Sequence, residues 1–337
     1  MTEKDPLRVG IVGAGAISQV VHLPIFSERH DVDLVALGDI DIHKAETLSR
    51  RFSIPLVMDP NELLAFDELD AIVVCTPNYL HEEMAISALE QGRHVLVERP
   101  LASSSEGASR LVEAAVRAGT LLAVGMPHRF RPEVAALRSF VEGGELGELT
   151  GVRGSWLTRS FPSGRPTWRV RRAAAGGGAL VDLGIPALDL CLWIVGFPEA
   201  KRLTCLMSKG DDEVEHSATL LLETTSGIAL ALEVTNQLYS GDDRFYVRVM
   251  GTDGSGRLPP LEVYKRLGGR PMDVTPRQPR PRGGENAYTN AYRRLLDDFV
   301  RRATGVGEVA APVEQVGLLR LIEAAYRSAE SGREVEL

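Results

Sequence analysis

Two glycines and a small residue stand at the spacing of a phosphate-binding turn: Gly13, Gly15 and Ser18. They follow an apolar run typical of a buried parallel strand and precede a segment typical of a helix. In such a turn the first glycine permits the tight bend, and the second lets a pyrophosphate approach the backbone. Because the helix start offers unpaired N–H groups, we predict that Gly13, Gly15, Ala16 and Ile17 bind a dinucleotide. A glycine turn without a ligand is the alternative.

The end of the second apolar run bears on the kind of dinucleotide. Asp39 stands there, about 24 residues after Gly15. An acidic residue at this place accepts hydrogen bonds from the adenosine ribose and repels a 2′-phosphate. Asp41 adds to that repulsion or simply caps the next helix, and Lys44 is the nearby cation. We therefore expect NAD as the cofactor, with NADP less favoured.

Strand and helix patterns alternate through the first third of the chain. The predicted strands are Leu7–Val12, Leu34–Gly38, Ala71–Cys75, His94–Val97 and Leu121–Val124. The predicted helices are Ala16–Glu28, Ile42–Arg51, Glu82–Gln91 and Ser104–Ala118. Such alternation predicts a doubly wound parallel sheet of the Rossmann type, which we assign to residues 1–125. Ligands on such a sheet bind beyond the carboxyl ends of the strands.

After Phe130 the pattern changes to longer, alternating strands that follow one helix. The predicted elements are helices at Pro132–Val141, Leu180–Val195, Tyr288–Ala303 and Val313–Ser331, and strands at Leu149–Leu157, Ala200–Ser208, Glu215–Thr224, Ile228–Gln237, Phe245–Met250 and, weakly, Leu261–Tyr264. We also expect an exposed loop at Arg277–Gly284. The fold class is therefore α/β: a Rossmann domain and a C-terminal α+β domain, residues 126–337, with an open, mostly antiparallel sheet. The last helix could pack back on the N-terminal domain.

Composition narrows the function classes. A chain of 337 residues with 44% apolar and 25% charged residues can form two globular domains. The net charge of −8 argues against a nucleic-acid partner, because phosphate binding favours a basic surface. We expect no membrane partner, because no apolar stretch reaches the length of a bilayer span, and the polar N-terminus predicts no signal peptide. The cysteines lack metal-ligand spacing, so we expect buried thiols in a cytoplasmic protein and no metal: Cys75, Cys191 and Cys205.

Three further segments, taken with the glycine turn, resemble the Gfo/Idh/MocA family, which includes glucose–fructose oxidoreductase and inositol dehydrogenase. They are residues 73–81 (VVCTPNYLH), residues 94–101 (HVLVERPL) and residues 176–193, which begin GGGALVDLG. The resemblance runs from about residue 7 to about residue 200. It implies hydride transfer between a nicotinamide cofactor and a sugar, cyclitol or related polyol. It also implies a homodimer or homotetramer, since exposed sheet faces commonly pair subunits in this family.

The resemblance also implies residue roles. The nicotinamide side of the cofactor would be lined by Thr76, Pro77, Asn78 and His81, with Glu98 and Arg99 beside them. A carbohydrate-like substrate would be contacted by Arg129, Trp168, Arg169 and Asp189. The glycines at 176–178 would let a loop approach the ligand closely. Arg165, Arg171 and Arg172 could add contacts to an anionic substrate, or could simply be solvated.

The chain departs from the family pattern at the usual acid/base pair. Redox members typically carry Glu-Lys-Pro and Asp-x-Gly-x-His, whereas this chain has Arg99 and Pro186 at those positions. Arginine stays protonated, so it can supply positive charge but cannot act as a base at neutral pH. His128, just after the fifth predicted strand, is the candidate replacement for the proton carrier; Asp182 could also act as the acid/base, and Arg99 could stabilise charge. The alternative is a protein that binds the dinucleotide without ordinary alcohol oxidation, for sensing or an atypical reduction.

Overall fold

A computed structural model describes residues 5–160, 167–209, 213–277 and 285–337. Contacts between Cα atoms define two compact units. The first comprises Met1–Pro127 and Tyr288–Val316, and the second comprises His128–Ala287 and Gly317–Leu337. The assignment of cofactor binding to one unit and substrate binding to the other stays a prediction, as does the boundary at residue 125.

The first unit contains a parallel sheet, as predicted. Its strands among the described residues are β1 (Leu7–Val12), β2 (Val32–Gly38), β3 (Leu56–Met58), β4 (Ala71–Val74), β5 (His94–Val97) and β6 (Leu122–Val124). They lie in the order β3-β2-β1-β4-β5-β6, and every pair is parallel. The strand order reverses between β1 and β4. In such sheets the carboxyl ends of the two strands at this point border a crevice that binds ligands. The short strand β3 was missed by the sequence prediction.

Helices connect these strands, and side chains define where most of them begin. They are α1 (Leu23–Ser27), α2 (Ile42–Phe52), α3 (Pro60–Ala65), α4 (His81–Glu90) and α5 (Ser105–Ala118). Asp41 caps α2 by accepting from the Lys44 amide, as one sequence interpretation held. Asp59 and Glu62 form a capping box on α3, a helix that the sequence analysis did not predict. Ser104 caps α5 by accepting from the Gly107 amide.

The second unit is built on a mostly antiparallel sheet, which confirms the predicted fold class. Its described elements are α6 (Pro132–Glu142), β7 (Leu149–Arg159), α7 (Arg172–Ala175), α8 (Ile185–Ile194), β8 (Ala200–Lys209), β9 (Glu215–Thr224), β10 (Ala229–Leu238), β11 (Arg244–Gly251), β12 (Gly254–Leu258), β13 (Glu262–Leu267), β14 (Arg270–Asp273), most of α10 (Glu314–Ser331) and β15 (Val335–Glu336). Helix α9 (Ala287–Ala303) belongs to the first unit, apart from its first residue. The sheet order is β14-β13-β12-β11-β7-β10-β9-β8-β15. Within this second sheet, β7 and β10 are the only described strands that pair in parallel. Strands β12, β14 and β15 were not predicted. Most of the predicted loop at Arg277–Gly284 lies outside the described residues.

Two helices begin with a π-helical turn that precedes a proline. Residues Ser18–His22 form such a turn before Pro24, and Leu180–Gly184 form one before Pro186. In each, an amide bonds five residues back: Leu23 to Ser18 and Ile185 to Leu180. A proline has no N–H and its ring presses on the preceding turn, so the wider turn accommodates it.

The second of these helical stretches corrects the expectation that no apolar stretch is long enough to span a bilayer. By length and composition Arg172–Ile194, with 23 residues, could cross a membrane. However, 89% of its apolar window is buried inside the protein, as is usual for a core helix. Cys191 lies in this helix, and all three cysteines are free and buried, as predicted. Burial raises the pKa of the Cys191 thiol to about 12.

Candidate functional site

The glycine turn follows β1 and has the geometry that a phosphate needs. Gly13 adopts a φ of +99°, and a Cβ there would stand 2.6 Å from the Cys75 carbonyl oxygen. At Gly15 the nearest atom to a Cβ would be that same oxygen at 3.9 Å, so the space beside it is open. The Ser18 hydroxyl donates to the Gly13 carbonyl, and the Gln19 amide side chain donates to Ala14 at 3.0 Å. The turn is thus held rigidly with its second glycine uncovered.

Asp39 directly follows β2 and holds the same glycine turn. One carboxylate oxygen accepts from the Ala14 amide at 2.6 Å, and the other accepts from the Asp41 amide at 2.8 Å. The Lys44 ammonium lies 3.0 Å from Asp39. This carboxylate is 9% exposed, so it can meet a ligand only along one edge. The predicted ribose contact is compatible with that edge, and Lys44 stands closer than the sequence suggested.

The turn after β4 carries the segment Thr76-Pro77-Asn78. The Thr76 hydroxyl oxygen is buried and has no hydrogen-bond partner within the part of the chain that the structure describes. A buried hydroxyl without a partner costs free energy, which a bound ligand would recover. This orphaned oxygen, together with the open side of Gly15, fits a dinucleotide at the carboxyl ends of β1 and β4.

His81 faces the protein rather than open space. It is 1% exposed, and its ring nitrogens lie 2.7 Å from the Pro100 carbonyl oxygen and 2.9 Å from the Thr76 carbonyl oxygen. The ring therefore ties the turn after β4 to the turn after β5. Its direct contact with a cofactor stays a prediction, and these two bonds give the ring a different task.

Glu98 directly follows β5 and forms the centre of a buried polar network. Its carboxylate accepts from the His22 ring at 2.8 Å, from the Tyr292 hydroxyl at 3.1 Å and from the Arg99 amide at 3.3 Å. His22 is fully buried, and Tyr292 lies on α9. These partners occupy Glu98, so a contact with the nicotinamide ribose would have to share it. Tyr292 was missed by sequence reasoning, since nothing in its local pattern distinguishes it from a core tyrosine.

Charge stabilises this network. Burial lowers the pKa of His22, but the neighbouring Cys75 thiol and the Glu98 carboxylate raise it to about 10. Burial alone would raise the pKa of Glu98, but the hydrogen bond and charge of His22 and the charge of Arg99 bring it below its ordinary value. The His22 imidazolium and the Glu98 carboxylate thus form a buried ion pair.

In the second unit, three of the predicted site residues have partners of their own. His128 packs against two aromatic rings, with centroids 5.0 Å from Trp156 and 5.5 Å from Phe245. Arg129 forms a two-pronged ion pair with Asp189, whose side chain is 2% exposed. This pair gives both residues a packing role, and their predicted contact with substrate has no support in that geometry.

Asp182 lies in the π-helical turn Leu180–Gly184, and its side chain is 41% exposed. It forms an ion pair with Arg169 at 3.0 Å, and the Arg169 guanidinium stacks over the Trp168 ring at 4.6 Å. The structure therefore brings the predicted residues Trp168, Arg169 and Asp182 together. Arg165 lies outside the described residues. Pro186 follows the same turn and is buried.

A second buried carboxylate was missed by sequence reasoning. Glu215 at the start of β9 is 2% exposed and accepts from the Gly178 amide at 2.9 Å and the Leu180 amide at 2.8 Å. It also accepts from the Tyr326 hydroxyl at 3.0 Å. An acidic residue that begins an alternating strand with its side chain inward is the only local signal for it.

Comparisons with known proteins agree with this geometry. Residues 7–126 match the family described as "Oxidoreductase family, NAD-binding Rossmann fold". Residues 134–257 match the family's C-terminal domain. Together the two matches cover the whole first sheet and most strands of the second, but not β13, β14 or β15.

Similar proteins extend over the whole chain. D-glucoside 3-dehydrogenase of Escherichia coli K12 is 31% identical over 99% of this chain and 98% of its own. D-xylose 1-dehydrogenase (NADP(+)) 2 of Haloferax volcanii is 28% identical over 98% and 100%. Among solved structures, GenD2 from gentamicin A biosynthesis in complex with NAD is 28% identical with a TM-score of 0.86, covering 100% of this chain and 98% of its own. The chain therefore belongs to the Gfo/Idh/MocA family of oxidoreductases, which bind NAD through a Rossmann domain.

Proposed function

We propose that this protein transfers a hydride between NAD and a hydroxyl-bearing carbon of a sugar, cyclitol or related polyol. The observation that carries the proposal is the 31% identity with a D-glucoside 3-dehydrogenase along nearly the full length of both chains. The open side of Gly15 and the unpartnered Thr76 hydroxyl support a dinucleotide in the first unit of this chain. When bound, the nicotinamide supplies the hydride acceptor or donor.

NAD rather than NADP is the proposed cofactor. Asp39 would accept hydrogen bonds from the ribose hydroxyls, and its charge would repel a 2′-phosphate. Lys44 lies 3.0 Å from Asp39 and offsets part of that charge. The preference is therefore one of degree, and Asp39 is the residue that maintains it.

Oxidation of an alcohol releases a proton from the hydroxyl group as the hydride leaves the carbon. We assign the acceptance of that proton to Asp182, because its carboxylate is partly exposed in the second unit. Arg99 cannot accept a proton, but it can stabilise negative charge on the substrate oxygen. His128 is the second candidate for the proton, although aromatic rings flank it on two sides. A carbohydrate-like substrate would contact Trp168 and Arg169, the neighbours of Asp182.

A panel of D-glucosides, free sugars and inositols, offered with NAD at several pH values, tests this function. The expected result is formation of reduced nicotinamide with at least one of them. An Asp182→Asn variant should lose about 100-fold or more in kcat. Asp243→Asn is the matched control, because Asp243 also pairs with an arginine on the second unit at 3.3 Å. An Asp182→Asn variant with full activity would move the proton to another residue.

One alternative function is favoured by Arg99 and Pro186, if the motif resemblance correctly assigns these positions to the family's usual proton carriers. In that case the protein holds NAD but oxidises no alcohol. Substituting Arg99→Lys and Pro186→His together distinguishes the two functions. If wild type oxidises no polyol but the double variant does, then the pocket still binds substrate in the orientation typical of the family and wild type lacks only the proton carriers.

We further propose that the chain forms a homodimer or homotetramer through the open face of its large sheet. The pairing registers place Leu206, Leu221, Tyr246 and Tyr264 on one face of that sheet. Their exposed fractions are 69%, 57%, 42% and 40%, respectively. Burying these exposed apolar side chains against a partner is favourable.

A further inference from the structure

Glu215 has no part in the proposed chemistry, yet its buried carboxylate accepts several hydrogen bonds from within the second unit. Its two oxygens accept from three groups: the Gly178 amide at 2.9 and 3.0 Å, the Leu180 amide at 2.8 Å and the Tyr326 hydroxyl at 3.0 Å. At 2% exposure it is effectively out of water. Burying a carboxylate costs free energy unless its oxygens accept hydrogen bonds, and here two backbone amides and a hydroxyl donate to it.

The glycines of the preceding loop serve this contact. A Cβ on Gly177 would stand 1.8 Å from the Tyr326 hydroxyl oxygen, and one on Gly178 would stand 2.0 Å from the Glu215 carbonyl oxygen. The sequence interpretation held that these glycines let the loop approach a ligand. The structure shows instead that Gly177 and Gly178 let the loop lie directly against Glu215 and Tyr326.

The anchored loop is the start of the turn that carries Asp182. The Gly178 carbonyl accepts from the Asp182 amide at 2.9 Å. The two amides that Glu215 binds, those of Gly178 and Leu180, therefore belong to the stretch of chain that this hydrogen bond closes. Negative charge at a helix start also favours the helical hydrogen bonds that follow. Burial raises the pKa of Tyr326, which keeps its hydroxyl protonated as a donor.

We propose that Glu215 is a positioning residue: it anchors the glycine loop and thereby fixes the π-helical turn from which Asp182 acts. Tyr326 completes the anchor by holding one Glu215 oxygen. The catalytic part of this inference rests on the proposed function, whereas the anchoring part does not.

Hydrogen exchange of the full-length protein without substrate tests the anchor. In Glu215→Gln, the backbone amides of residues 178–184 should exchange about 10-fold faster, because an amide oxygen accepts these bonds more weakly than a carboxylate does. Tyr326→Phe should give a smaller increase in the same segment. Glu223→Gln is the matched control, because Glu223 lies on the same strand but pairs with Lys201 and Arg202 at the surface. Unchanged exchange in both Glu215→Gln and Glu215→Ala would overturn the anchor.

Kinetics test the positioning. With a sugar that wild type oxidises, Glu215→Gln should lower kcat about 10-fold while the Kd for NADH and the Tm stay near wild type. Glu215→Ala should lower kcat further, so that Gln acts as a partial rescue. Faster exchange with an unchanged kcat would overturn the positioning role and leave only the anchor. If wild type oxidises no sugar, the proposed function fails, and the exchange measurement alone still decides whether Glu215 anchors the turn.

Discussion

At the level of single residues, two buried carboxylates form hydrogen bonds that their neighbouring sequence did not predict. Glu98 holds the end of β5 through His22 and Tyr292, and Glu215 holds the glycine loop of the second unit. Both accept from backbone amides as well as from side chains. A charge that is removed from water in this way fixes its surroundings, because each donor that moves away leaves the charge unsatisfied.

The His22–Glu98 pair predicts a pH dependence of stability. The pKa of His22 is raised from its ordinary 6.5 to about 10, so its contribution is fully present below pH 6.5 and disappears as the pH rises to about 10. His22→Gln should therefore lower the free energy of unfolding by about 3 kcal/mol near pH 6, and by less at pH 10. Denaturant unfolding at several pH values measures this. His43→Gln is the control, because that side chain is 97% exposed. A pH-independent difference would contradict the ion pair.

Asp39 predicts the cofactor preference. Asp39→Ser should weaken NAD binding and strengthen NADP binding, shifting their affinity ratio about 10-fold or more, because a 2′-phosphate would then meet Lys44 without the opposing carboxylate. Fluorescence titration with NADH and NADPH measures the ratio. Asp41→Ala should cost about 1 kcal/mol of stability through loss of the α2 cap, with a smaller shift in the ratio. An unchanged ratio in Asp39→Ser would show that another group selects the cofactor.

At the level of secondary-structure elements, the two glycines of the turn after β1 serve different purposes, one for the fold and one for the ligand. Gly13 is needed by the fold, since its φ is +99° and a Cβ there would contact the Cys75 backbone. Gly15 is needed only by a ligand, since a Cβ there would have no neighbour closer than 3.9 Å. The two substitutions to alanine should therefore fail in different ways.

Gly13→Ala should lower the free energy of unfolding by about 1–3 kcal/mol. Gly15→Ala should keep stability within about 0.5 kcal/mol of wild type, but should weaken NADH binding about 10-fold or more, because its Cβ occupies the space of the pyrophosphate. Thermal unfolding and NADH titration of both variants measure this. Full NADH affinity in Gly15→Ala would place the dinucleotide elsewhere.

Elements with a strong periodic pattern were predicted well. Strand β1 and helix α5 follow from apolar runs and a serine cap, and their observed bounds agree closely with the sequence prediction. The missed elements are short or lie at sheet edges: β3, α3, α7, β12, β14 and β15. In such elements few residues are buried, so the hydrophobic pattern carries little information. The π-helical turns were also not predicted, because the periodicity of apolar residues does not distinguish them from an ordinary α-helix.

The site was predictable where a motif is local, and not where a partner comes from far along the chain. The Gly13 turn and the position of Asp39 directly after β2 follow from spacing within the first βα units, whereas the ribose contact of Asp39 stays a prediction. Tyr292 meets Glu98 across 194 positions, and Tyr326 meets Glu215 across 111. Such long-range contacts depend on the packing of whole elements, which one sequence does not specify residue by residue.

At the scale of the whole molecule, the exposed face of the second unit's sheet predicts self-association. Wild type should be a dimer or tetramer by light scattering, and Leu221→Glu should be a monomer, because a charge would be buried in the interface. Val116→Glu is the control, since Val116 is 69% exposed on α5 of the first unit. A monomeric wild type, or an unchanged Leu221→Glu assembly, would assign this face no role in assembly.

Deuterium labelling follows directly the proposed transfer of a hydride from a sugar carbon to NAD. Wild-type protein is incubated with NAD and with glucosides or inositols that carry deuterium on their hydroxyl-bearing carbons. Mass spectrometry then follows the nicotinamide. We predict reduced nicotinamide that carries the deuterium from one of these substrates. Unlabelled, unreduced NAD bound tightly by a folded protein would contradict the account.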